Sequence, residues 1–132
     1  MALDARREND LTDRILGCAY QVMTELGHGF VEKVYENALA IELTEAGFQV
    51  EQQRRFAVRY AGKVVGEFAA DLIVEETVVV ELKAVSALDR AHQAQCLNYL
   101  RASGLKICLL LNFGGPALQI RRIVNGLWPT TP

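Results

Sequence analysis

Ala70–Ala84, read as ADLIVEETVVVELKA, constrains this chain more than any other stretch. It is rich in β-branched residues on both sides of Glu75-Glu76-Thr77, which reads as two strands joined by a turn. Leu72, Ile73, Val74, Val78, Val79 and Val80 are apolar on both parities, so both faces of this hairpin expect cover. Ordinary strand chemistry does not ask for Asp71, Glu81 and Lys83 in such a setting.

Counting residues tests how those charges sit. A turn over Glu75, Glu76 and Thr77 pairs Val74 with Val78, and Asp71 then falls opposite Glu81 on one face. Cβ atoms of such a pair lie about 4.5–5.5 Å apart, and the two like charges repel unless a cation or a proton lies between them. Lys83, two residues beyond Glu81, shares that face. A two-residue turn would put Asp71 and Glu81 on opposite faces, so a metal site here requires a three-residue loop or a bulge.

The length of 132 residues fits one domain over 1–125, with 126–132 as a loose tail containing Pro129 and Pro132. With 51% apolar and 23% charged residues the composition is that of a globular domain. A net charge of −2 argues against a strongly basic nucleic-acid coat, though it allows a local basic groove. No apolar run is long enough to span a bilayer, and MALDARREND is charged throughout, so no membrane partner and a cytoplasmic location are expected. Cys18, Cys96 and Cys108 are isolated and odd in number, which fits free thiols better than a zinc site.

Helical spacing runs from about Asp10 to Leu26 and from about Val31 to Ala46, with Gly27, Gly29 and Gly47 as stops. Strands are expected over Phe48–Gln53, Phe56–Tyr60, Val64–Val74 and Val78–Ala84, with a turn at Ala61-Gly62-Lys63. Ser86 caps an expected helix over Ala87–Ala102, with Asp89 at the capping-box position, and Gly104 ends it. Lys106–Asn112 and Leu118–Ile123 complete a mixed sheet with helices packed on it.

Each candidate site group has an ordinary account beside it. Asp71, Glu81 and Lys83 could be a solvated strand face, but their apolar surroundings favour a site. There the two carboxylates and a backbone carbonyl near Leu82 would bind Mg2+, a hard cation that wants oxygen ligands. Glu32 and Glu36 share a helix face; on spacing alone they suit the helix N-terminus and a pair with Lys33, and beside the hairpin Glu36 could supply a third carboxylate. His92, Gln95 and Tyr99 can share one face of the third helix, where core packing and a functional role explain the spacing equally well. His28 reads as a turn residue, and Arg54, Arg55, Arg59, Arg121 and Arg122 as solvated unless they rim the carboxylates.

Taken together these residues resemble a known family. Gly29-x-x-Glu32-x-x-Tyr35, Gln95-x-x-x-Tyr99 and Leu109-Leu-Leu-Asn112-Phe-Gly114 are similar to the motifs of small bacterial GxxExxY proteins, over roughly Asp10 to Ile123. That family lies in the PD-(D/E)XK nuclease superfamily. The resemblance implies an α/β, restriction-endonuclease-like core, a mixed β-sheet flanked by helices. It also implies that Glu36 (with Glu32 as fallback), Asp71, Glu81 and the Leu82 carbonyl hold Mg2+ or Mn2+, and that Lys83 supports cleavage of nucleic acid, DNA ahead of RNA. Gln95 and Tyr99 resemble the Gln-x-x-x-Tyr helix of RecB-like nucleases. Ala70 stands where the superfamily often has proline. Members that only bind or assemble exist, so a catalytically silent module, as a homodimer, is the alternative.

Overall fold

The computed structural model describes residues 2–125, with side chains described from residue 6 onward; the expected tail at 126–132 lies outside the described residues. Its elements are α1 (Ala2–Leu26), α2 (Glu32–Glu45), β1 (Val50–Tyr60), β2 (Lys63–Val74), β3 (Val78–Lys83), α3 (Arg90–Ser103), β4 (Ile107–Asn112) and β5 (Gln119–Val124). The strands form one five-stranded sheet in sequence order. Only β3 and β4, joined across α3, run parallel, which makes this the mixed α/β sheet that the sequence implies.

Both faces of the central hairpin are covered. Leu72, Val74, Val78, Val80 and Leu82 pack with Ile15, Ala19, Tyr35, Leu39 and Leu43 of α1 and α2. Ile73 and Val79 pack with Cys96 and Leu100 of α3 and with Cys108 and Leu110 of β4. This is why the hairpin is apolar on both parities.

Apart from shifts of one or two residues at element ends, the structure differs from the sequence pattern in three places, each for a local reason. First, α1 begins eight residues before the expected Asp10, because ALDARREN favours helix without adding to the apolar stripe that marks the rest. Second, α3 starts at Arg90 with Asp89 as its cap, not at Ala87 behind Ser86. Asp89 Oδ1 accepts from the His92 backbone N–H while His92 Nδ1 accepts from that of Asp89, so histidine closes the capping box. Leu88 is meanwhile held out of the helix, its N–H donated to Gln119 Oε1.

Third, the expected break between Phe48–Gln53 and Phe56–Tyr60 does not interrupt the strand, for β1 runs unbroken from Val50 to Tyr60. Gln53 adopts φ +56° within it. On one side of this point Val50 and Leu72 join the cluster under α1 and α2; on the other Phe56, Phe68 and Ala70 join the cluster under α3. Residues an even number apart should share a face, so the pleat of β1 and β2 inverts at Gln53 and its opposite number Asp71. A left-handed backbone at a residue other than glycine costs on the order of 1–3 kcal/mol and tends to mark functional places.

Candidate functional site

The site forms where β2 and β3 part. The turn pairs Val74 with Val78, then Ile73 with Val79 and Leu72 with Val80. Glu75 and Glu76 both take left-handed φ in this three-residue loop, which Thr77 N–H closes onto Val74 O. One further step sets Asp71 opposite Glu81, in the register that a shared site requires. The paired ladder stops there, and each carboxylate reaches across to the other strand. The Asp71 backbone N–H donates to Glu81 Oε2 at 2.9 Å, and the Leu82 N–H donates to Asp71 Oδ2 at 2.9 Å. Each acid therefore fixes the backbone beside the other.

Glu36 approaches from α2. It is 3% exposed on a helix whose other buried residues are Tyr35, Leu39, Ala40 and Leu43. Its carboxylate is met from three sides: Lys33 Nζ and Gln52 Nε2 donate to Oε2, each at 2.9 Å, and Gln53 Nε2 donates to Oε1 at 2.9 Å. Gln53 Nε2 also lies 3.1 Å from Asp71 Oδ1, so one amide joins the helix acid to the strand acid. Adjacent residues of a regular strand point to opposite faces. Gln52 and Gln53 nevertheless both reach Glu36, which the left-handed turn of the backbone at Gln53 permits.

Burial sets the electrostatics. It pushes the Asp71 carboxyl above its usual range, the Glu36 charge adding to the rise, while hydrogen bonds from Leu82 and Gln53 and the charge of Lys83 oppose it. Glu81, only 5% exposed, is pushed up to about 9, first by burial and then by Asp71. Glu32 also rises, through burial and then Asp71, with Lys83 and His92 acting against it. These acids feel one another and the Lys83 ammonium, so Glu32, Glu36, Asp71, Glu81 and Lys83 form one electrostatic neighbourhood.

The oxygens of Glu36, Asp71 and Glu81 are the ligand type that a hard divalent cation takes. As the side chains stand, no three His, Cys, Asp or Glu among the described residues converge closely enough to hold a metal ion. Asp71 and Glu81 are adjacent, but Glu36 is separated from Asp71 by the Gln53 amide. At Leu82 it is the N–H that Asp71 engages.

On α3, Tyr99 stacks on Phe68 with centroids 4.1 Å apart and an interplanar angle of 2°, and Phe68 stacks in turn on Phe56 at 5.2 Å. Burial and then the Glu81 charge raise the pKa of the Tyr99 hydroxyl. Tyr99 and Phe68 also wall a cavity of about 680 Å³ with Arg59, Asn98 and Arg101 on its lining. Gln95 is exposed and makes no side-chain hydrogen bond among the described residues, and His92 serves the helix cap. Of the other arginines, Arg54 pairs with Glu76 and Arg55 with Glu67, so neither rims the carboxylates.

The remaining motif residues hold the frame. Tyr35 stacks on Phe113 at 4.7 Å, donates its hydroxyl hydrogen to Gly27 O at 2.6 Å and accepts from the Phe30 N–H. Gly29, in the same loop, has φ +117°. Asn112, wholly buried, grips Val85 twice: Oδ1 accepts from its N–H at 3.0 Å and Nδ2 donates to its carbonyl at 2.9 Å. The chain leaving Lys83 is thereby fixed, and the Phe113 N–H donates to Lys83 O at 2.8 Å. Sequence reasoning missed Gln52 and Gln53. They read as the polar end of the expected strand Phe48–Gln53, and nothing in the residue types signalled the backbone turn at Gln53, beside which both meet Glu36.

Comparison with known proteins agrees with this fold. A family model described as the PD-(D/E)XK nuclease superfamily matches residues 9–123. No curated protein matches the chain. Among solved structures, the crystal structure of SSO0001 is similar with a TM-score of 0.57 at 19% identity, over 70% of this chain and 48% of that one. The chain thus spans about half the length of that protein, and the likeness is one of fold. No helix among the described residues is long and apolar enough to cross a membrane.

Proposed function

The chain belongs to the PD-(D/E)XK nuclease superfamily, and from that premise we propose that it is a Mg2+-dependent nuclease, active also with Mn2+, that hydrolyses phosphodiester bonds of nucleic acid, DNA before RNA. Within the superfamily we place it with the GxxExxY proteins, on Gly29-x-x-Glu32-x-x-Tyr35 and the Asn112 region. The observation that carries the reading is the interlocked pair Asp71 and Glu81 at the parting of β2 and β3, with Lys83 charge beside it.

Asp71 and Glu81 would hold the cation, helped by Glu36 and the Leu82 carbonyl. When bound, the cation supplies Lewis acidity, acidifying water and offsetting phosphate charge. The Lys83 ammonium, two residues beyond Glu81, offsets charge that builds on the phosphate. Glu36, held by Lys33 and Gln52, orients water at its free lone pairs. Tyr99 and Gln95 on α3 contact the polymer where it leaves the acids.

A catalytically silent binding module, as a homodimer, is favoured by one observation: Glu36 is already engaged by Lys33, Gln52 and Gln53. Assay of purified protein with Mg2+ or Mn2+ on single-stranded, duplex and branched DNA and on RNA separates the two. The nuclease should cut at least one polymer, with about 10²–10³-fold loss in Lys83→Ala, as for removal of one transition-state donor, and a loss at least as large in Asp71→Ala. Cleavage that survives both substitutions, or none on any polymer, counts against it.

A further inference from the structure

Two facts meet at Gln53: a residue other than glycine held at φ +56° inside a strand, and a side-chain amide donating to two carboxylates at once. Asparagine or glycine would adopt that backbone at lower cost, so the position is occupied for the reach of the glutamine side chain. Its nitrogen lies 2.9 Å from Glu36 Oε1 and 3.1 Å from Asp71 Oδ1. An NH2 group there presents a partial positive charge to each acid, as a cation would. A cation bridging the same two oxygens at ligand distance, about 2.1 Å, would overlap the amide, so the two occupants exclude one another. Gln53 is exposed, so its side chain can leave without disturbing the core. Lys33 and Gln52 bind the other oxygen of Glu36 and do not touch Asp71, so they neither bridge the acids nor stand between them.

We infer that Gln53 gates the cation site: its amide bridges Glu36 and Asp71 in the metal-free protein as a stand-in for the cation, and loading requires that amide to swing out. The inference rests on the reading that these acids hold metal. Removing the gate removes hydrogen bonds that stabilise only the metal-free state, so metal should bind more tightly. A residue with a merely structural role would weaken binding when removed.

The test is a calorimetric Mn2+ titration of the wild type, Gln53→Asn, Gln53→Ala and Asp71→Ala. Asparagine keeps the left-handed preference but falls one methylene short, so it carries the test if the alanine variant does not fold. Both Gln53 variants should bind about tenfold more tightly, the scale expected for losing hydrogen bonds to charged acceptors. In the wild type, saturating Mg2+ should move the Gln53 side-chain NH2 resonances to the position of a solvated amide. Asp71-dependent binding that is equal or weaker in both Gln53 variants overturns the gate and leaves the metal reading standing. No Asp71-dependent binding in any of the proteins overturns the metal reading and the gate with it.

Discussion

A carboxyl held beside a second carboxyl and largely out of water is most stable when protonated. Glu81 is in that position, its pKa up to about 9 against an ordinary 4.5, through burial and then Asp71. Between those values the folded chain binds more protons than the unfolded one. This group's contribution is therefore full below pH 4.5 and is lost as pH rises toward 9. Asp71 shifts in the same direction. In chelator, the protein should melt at a higher temperature at pH 5 than at pH 8. Glu81→Gln should flatten that difference and raise the pH 8 melting point by about 3 °C or more. An unchanged pH slope would remove Glu81 as the strained group. Loading a cation must also expel the proton, so Mn2+ binding should release protons at neutral pH, read as a dependence of calorimetric heat on buffer ionisation enthalpy. The facing of Asp71 and Glu81 was legible in the sequence, because alternation and a three-residue turn fix it by counting. The part played by Gln53 was not, because it depends on a backbone angle that glutamine does not advertise.

At the scale of elements, the segment from Ala84 to Leu88 decides how Lys83 and α3 are presented. Asn112 grips it at Val85 and Gln119 at Leu88, and Gly114 passes so close to Val85 that a Cβ there would collide with its backbone. Gly114→Ala should therefore cost about 1–3 kcal/mol by urea unfolding, as overpacking does, and reduce cleavage although the residue touches none of the acids. A neutral outcome would mean that this segment yields freely. The same grip explains why Ser86 does not cap α3. Propensity allowed a cap at Ser86, but tertiary hydrogen bonds hold residues 85–88 out of the helix and leave the role to Asp89. Asp89→Ala should cost about 1 kcal/mol in the same assay.

Across the whole molecule, most of the topology was legible because its signals are periodic. Helical stripes, a hairpin apolar on both faces and a buried strand after a crossover helix lead to one mixed sheet with cover on either side. What the pattern could not carry was the pleat inversion at Gln53 and Asp71, beside which Gln52 and Gln53 both meet Glu36 of α2. The acids gather from three elements, α2, β2 and β3, around that inversion. We propose that they gather there to hold a divalent cation. Anomalous scattering from a crystal soaked in Mn2+ tests this most directly. One strong peak is expected at ligand distance from carboxylate oxygens of both Asp71 and Glu81; a fully soaked crystal with no peak there, and the two acids still engaged by the Leu82 and Asp71 backbone N–H groups and the Gln53 amide, would contradict it.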